Sequence, residues 1–119
     1  MIENMGVGVD IEQISRFVEK NDSFLNKIFT DEELKYCFSK TYHAQHLAVR
    51  FAGKEAVIKA LGSLGKDIKD YKKIEIVNNA KGVPLAKLLI PEGDQIKIKI
   101  SLSHCQDKAM AMVLVSTIK

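Results

Sequence analysis

Three charged residues at chemically useful spacings stand out in this 119-residue sequence: Asp10, Glu55 and Lys59. Asp10 closes "MGVGVD" (5–10), an alternating stretch that predicts a strand, with Met5, Val7 and Val9 on one face and Gly6, Gly8 and Asp10 on the other. Glycine on a strand face permits close approach by another backbone or a ligand. Glu55 and Lys59 lie one turn apart in "RFAGKEAVIKALG" (50–62), apolar almost all the way round a helix. At about 100° per residue they fall within the sector of Leu47, Ala48, Phe51, Ala52 and Ile58, with Arg50 and Lys54 on a different sector. A carboxylate facing a core is costly unless a cation meets it. Carboxylates from a strand end and a core helix could share a hard cation such as Mg²⁺, which takes oxygen ligands and usually adds phosphate oxygens. Two plainer assignments compete: a Glu55–Lys59 ion pair at helical spacing, and Asp10 as the N-cap of a helix from Ile11.

Two further stretches bear on an anion. "GSLGKD" (62–67) has two glycines and a lysine that could cradle phosphate through backbone amides, or simply end the helix. "SLSHCQD" (101–107) places His104 at the end of an alternating strand, on the parity of its apolar face.

The elements that must position these groups are legible. "IEQISRFVEK" (11–20) has Ile11, Ile14, Phe17 and Val18 at helical spacing. "TDEE" (30–33) is a capping-box pattern, predicting a helix from Asp31 with Thr30 as cap. The main helix is expected from about Tyr42 to Leu61, with Gly62 as the C′ residue. The second half alternates: "KIEIVNN", the turn "AKGVP", "LAKLLI", the turn "PEGDQ", then "IKIKISLSH" with Ile96, Ile98, Ile100 and Leu102 on one face. "KAMAMVLVSTI" (108–118) is apolar on both faces and predicts a central strand. Helices early and antiparallel strands late give an α+β class in a single domain, 1–119.

Composition bounds the function. Hydrophobic residues are 46% and charged residues 28%, as in ordinary globular chains. A net charge of +3 suits an acidic partner if clustered, and is too mild to announce nucleic-acid binding. Only 7% of residues are aromatic, without the stacking pattern of nucleic-acid modules. No apolar run is long enough to span a membrane and no signal peptide is expected. Cys37 and Cys105 match no metal or redox spacing, which predicts free thiols and a cytoplasmic setting.

"GVGVDIEQISRF", the "FT" at Phe29–Thr30 before an acidic helix start, "RFAGKEAVIKALG", "IEIVNNAKGVP" and "SLSHCQDKAMAMV" follow in an order and spacing that resembles the holo-acyl-carrier-protein synthases, small phosphopantetheinyl transferases. The resemblance covers most of the chain. It implies that family's α+β fold, a homotrimer with sites in the clefts between subunits, and transfer of 4′-phosphopantetheine from coenzyme A to a serine of apo-acyl carrier protein, leaving adenosine 3′,5′-bisphosphate. It places Mg²⁺ on Asp10 and Glu55, with diphosphate oxygens and water completing the shell. Lys59 and Lys54 would meet the coenzyme A phosphates. Arg50 and His104 would meet the 3′-phosphate region, with Cys105 alongside. Gly62, Ser63 and Gly65 would lie near the nucleotide, and the turn ending at Pro84 beside the adenine. The base for the serine is either a metal-linked water or Asp10. Arg16 matches the family's carrier-docking arginine, with Lys20 and Lys27 beyond it. This chain departs from the family at Gly53 for alanine, Cys105 for threonine, and "GSLG" at the loop. The alternative is a non-catalytic coenzyme A- or nucleotide-binding trimer of the same fold.

Overall fold

Strand β1 (Met5–Gln13) runs antiparallel to β5 (Lys108–Thr117), which also pairs with β4 (Ile96–Cys105). β5 is therefore the middle of a three-stranded sheet, as its two apolar faces predicted. The computed structural model describes residues 4–117, so Ile118 of the predicted strand and the first three residues of the chain lie outside the described residues. A second, two-stranded sheet is the hairpin of β2 (Ile74–Asn78) and β3 (Pro84–Leu88), closed by Gly82 in a left-handed conformation. Short helices α1 (Asp22–Ile28) and α2 (Asp31–Phe38) precede the long α3 (His43–Gly62). The α+β class holds.

α2 starts with the predicted capping box: Thr30 Oγ1 accepts from the Glu33 amide, and the Glu33 carboxylate accepts from the Thr30 amide. α3 differs from expectation at its end. Gly62 is its last residue, and Gly65, at φ +79°, is the true C′ glycine. The Gly65 amide donates to Gly62 O and the Lys66 amide to Leu61 O, the two bonds of a Schellman motif.

The predicted helix over 11–20 is not formed. β1 continues to Gln13, and only a 3₁₀ turn, Ile14–Phe17, follows. Ile11 extends the outward row Met5, Val7, Val9, while Gly6, Gly8 and Glu12 are buried on the inward face with Asp10 between them. The inward face lies on α3 so closely that a Cβ at Gly8 would strike the Ala56 carbonyl, and one at Gly6 the Ala60 carbonyl. Glycine on β1 and the alanine row 52, 56, 60 on α3 together let strand and helix backbones meet. Gly53 faces Ile76, Ile100 and Leu102, whose side chains fill the space a family alanine would take.

Candidate active site

The contact of β1 with α3 decides which charges meet. Asp10 and Glu12 leave the inward face of β1 just past the two glycines, where α3 presents Glu55 and Lys59. Lys59 Nζ lies 3.1 Å from Asp10 Oδ1 and donates to Val9 O at 3.0 Å. The competing assignment of a Glu55–Lys59 pair gives way to an Asp10–Lys59 pair between strand and helix. Nor is Asp10 a helix N-cap, because β1 runs on past it. Its second oxygen, Oδ2, is buried without a hydrogen-bond partner. Burial, then a hydrogen bond that protonated Glu12 makes to Asp10, and then the Asp10 charge push the Glu12 carboxyl up to about 7; Arg16 opposes this and Glu55 adds to it, so the unused Asp10 oxygen is without a partner only when Glu12 is ionised. Tyr71 stands at the same place. Its phenol is pushed up by burial and then by the charge and hydrogen bonding of Glu55. Glu12 and Tyr71 are the members that sequence reading missed.

A buried carboxylate oxygen with no partner, among two more carboxylates, is a donor set suited to a hard divalent cation. Among the described residues no three His, Cys, Asp or Glu side chains converge on one point. These acids would therefore supply part of a shell and leave the rest to ligand oxygens.

The charges of α3 face the opposite way to expectation. Glu55 is only half-buried and Lys59 is exposed, while Lys54 and Arg50 are buried. Lys54 Nζ pairs with Glu33 Oε1 at 2.7 Å and donates to the carbonyls of Tyr71, at 3.0 Å, and Ile74. All three of its protons are used inside the core. Lys54 is therefore removed from the phosphate-contact set. The reason is packing: α3 meets the sheet, the hairpin and α2 on different sides, so the sector carrying Lys54 is covered too.

The loop after α3 does not form an amide cradle. The amides of Ser63, Leu64, Gly65 and Lys66 all donate to helix-end carbonyls, and Ser63 Oγ donates to Ala60 O at 2.7 Å. What Gly62 and Gly65 do offer is open space where a Cβ would stand.

The remaining predicted residues gather elsewhere. Arg50 lies over the Tyr36 ring at 4.3 Å and donates to Asn78 Oδ1 at 3.3 Å; its Nε is buried without a partner. Pro84 pairs with Asn78 across the hairpin. His104 contacts Gln45 through Nε2 atoms 3.1 Å apart, with Cys105 next to it and exposed. His46, edge-on to Tyr36, is held low by burial and then by Arg50, Lys40 and His104. Within one chain the predicted residues thus form two groups, one acidic at β1–α3 and one basic at the start of α3, β2 and the end of β4. Of the predicted docking residues, Arg16 is bonded to Glu12 at 2.6 Å, Lys20 lies 4.7 Å from the centre of the Phe24 ring, and Lys27 is exposed in the last turn of α1.

Residues 6–113 match the family model described as the 4′-phosphopantetheinyl transferase superfamily. The holo-[acyl-carrier-protein] synthase of Thermodesulfovibrio yellowstonii is 47% identical, over 98% of this chain and 100% of its own length. That of Geotalea daltonii is 44% identical, over 92% and 95%. Among solved structures, the ACPS–CoA complex of Chronobacterium ammoniagenes superposes with a TM-score of 0.81 at 27% identity, covering 97% of this chain and 98% of that one. The holo-[acyl-carrier-protein] synthase of Helicobacter pylori in complex with coenzyme A superposes at 0.79, with 30% identity and 92% and 99% coverage. The chain therefore belongs to the 4′-phosphopantetheinyl transferase superfamily, within its holo-[acyl-carrier-protein] synthases.

Proposed function

We propose that this protein transfers 4′-phosphopantetheine from coenzyme A to a serine of apo-acyl carrier protein, releasing adenosine 3′,5′-bisphosphate. The observation that carries the mechanism is the meeting of Asp10, with its partnerless buried oxygen, Glu12, Glu55 and Lys59 where β1 crosses α3. The serine oxygen attacks the β-phosphorus and gives its proton to Asp10 or to a water, while the bond to the bisphosphate oxygen breaks and its electron pair leaves with the bisphosphate. Such a transfer needs mainly positioning and charge stabilisation. Asp10 and Glu55, with Glu12 beside them, would hold Mg²⁺, which when bound polarises the phosphate and offsets the charge of the leaving group. Lys59, with 56% of its side chain exposed, stands free to turn its ammonium toward phosphate oxygens. The open surface at Gly62 and Gly65, with Ser63 between them, leaves room for the nucleotide. Arg50, His104, Cys105 and Pro84 supply the surroundings of the 3′-phosphate and adenine.

The two groups of one chain become one site if copies assemble. Met5, Val7, Val9 and Ile11 of β1, with Met110, Met112 and Leu114 of β5, form a continuous exposed apolar sheet face. Such faces mark interaction surfaces, and a homotrimer would cover this one while bringing the acidic group of one subunit toward the basic group of the next. Each subunit is one domain. Arg16, Lys20 and Lys27 would meet an acidic helix of the carrier. Among the described residues no helix is long and apolar enough to cross a membrane. The free thiols Cys37 and Cys105 fit the reducing cytoplasm.

The test is an intact-mass measurement of apo-carrier incubated with the protein, coenzyme A and Mg²⁺. The carrier's mass should rise by one phosphopantetheinyl group with wild type and stay unchanged with Asp10→Ala or Glu55→Ala. Coenzyme A binding with no mass change in wild type would favour the non-catalytic alternative.

A further inference from the structure

Arg16 is not a free surface cation. β1 ends at Gln13, and the 3₁₀ turn brings Arg16 back over Glu12, the last inward residue of the strand, with Nη1 2.6 Å from Oε1. The two partners differ in exposure: 53% of the arginine side chain is accessible and 8% of the glutamate. The guanidinium also stands near the Phe17 ring, 5.8 Å from its centre. The arginine is thus the member that an outside carboxylate can reach, and the glutamate the member that stays.

Glu12 in turn neighbours Asp10 and Glu55, yet among the described residues these acids do not converge. Arg16 occupies one Glu12 oxygen and brings a positive charge to the edge of the place where a cation would sit. Both effects oppose cation binding. A carrier carboxylate that takes up the guanidinium would relieve both.

We propose, resting on the reading above of the cation site and the carrier surface, that the Arg16–Glu12 pair is a latch between them: a carrier carboxylate that engages Arg16 releases Glu12 toward the cation, so carrier and cation each tighten the other's binding. The coupling is reciprocal by linkage. Arg16 is a positioning residue in this scheme, acting on the site through Glu12. The order it favours is carrier and metal together, with the cation held loosely until the acceptor has docked.

The test is Mg²⁺ titration calorimetry on the full chain without coenzyme A, alone and with an apo-carrier whose attachment serine is replaced by alanine. Wild type should bind Mg²⁺ about tenfold tighter when the carrier is present, and the carrier about tenfold tighter with Mg²⁺, a coupling of ordinary size. Arg16→Gln should bind Mg²⁺ more tightly than wild type with no carrier at all, a readout that lost docking cannot mimic. Glu12→Gln should abolish the coupling. Equal Mg²⁺ affinity of wild type with and without carrier overturns the latch, as does weaker or unchanged Mg²⁺ affinity in Arg16→Gln. Asp10→Asn separates the two levels. If it loses Mg²⁺ binding while wild type shows no coupling, the latch alone is wrong; if it binds Mg²⁺ as wild type does, the cation-site reading falls with it.

Discussion

Lys54 and Lys59 stand on the same helix, each paired with one carboxylate, in opposite surroundings. Lys54 is fully buried, and its three protons meet the Glu33 carboxylate and the carbonyls of Tyr71 and Ile74. Glu33 is equally committed, accepting from the Thr30 and Ile76 amides as well. Thr30 passes the network on to Glu75 at 2.7 Å. Lys59 is exposed, and its partner Asp10 keeps one buried oxygen unused. A saturated pair ties α2, α3 and β2 together and has nothing left for a ligand. An unsaturated one keeps capacity that a proton shared with Glu12, or a ligand, can use. The difference separates the structural charge from the functional one more surely than burial alone.

Breaking the saturated pair should give the largest effect. Lys54→Ala leaves Glu33 charged and buried with its cation gone, and is expected to cost about 3–5 kcal/mol in chemical denaturation. Replacing both Lys54 and Glu33 with apolar residues should not recover that loss, because the Thr30 and Ile76 amides and the Tyr71 and Ile74 carbonyls would be left without partners. A single-mutant cost under about 1 kcal/mol would show that the pair is not the clamp described.

The second prediction sharpens the contrast. Lys59→Ala removes an ammonium whose side chain is 56% exposed and should cost clearly less stability than Lys54→Ala, about 1 kcal/mol. It should lower kcat/KM for coenzyme A about 10²-fold, the scale for removing one preorganised charge from a transition state. Steady-state kinetics and a melt on the same sample check both halves. A loss of stability with intact turnover would invert the assignment of the two lysines.

These lysines also mark where the sequence stopped being readable. The capping box at Thr30–Glu33 and the two-faced β5 were legible because local chemistry and period settle them. The sidedness of α3 was not. Twelve of its residues are buried, Arg50 and Lys54 among them, so its apolar residues surround the helix and period cannot say which charge faces the core. Glu12 was missed for another reason. Ile11, Ile14, Phe17 and Val18 fit a helix, yet Met5, Val7, Val9 and Ile11 continue a strand, and the glycine–backbone contact with α3 favours the strand. Asp10 and Glu55 were found from residue type and the family resemblance, and their neighbours Glu12 and Tyr71 only from the packing of β1 and residues 71–73 around α3. The gathering of the basic group with Arg50 depends on the pairing of β2 with β3 and on the packing of α3 against β2 and β4, distant in sequence.

The third prediction is a pH dependence of the acidic group itself. In the folded, metal-free protein the Glu12 carboxyl titrates at about 7 instead of 4.5. Folding then favours the protonated form. Between these values the unfolded chain has released its proton and the folded chain still holds it. The unfolded state binds fewer protons there, so stability falls as pH rises. Glu12's contribution should be fully present below pH 4.5 and lost as pH passes about 7. Glu12→Gln, which resembles the protonated form, should match wild type in acid and become the more stable protein above neutrality. The comparison to make is the difference between the two unfolding free energies across that window, in the presence of chelator. Saturating Mg²⁺ should erase the difference at neutral pH, because a bound cation stabilises the ionised carboxylate that burial and Asp10 disfavour. A flat difference curve would mean that solvent screens Glu12 from Asp10 and Glu55, and would return Glu12 from the candidate site to the surface beside Arg16.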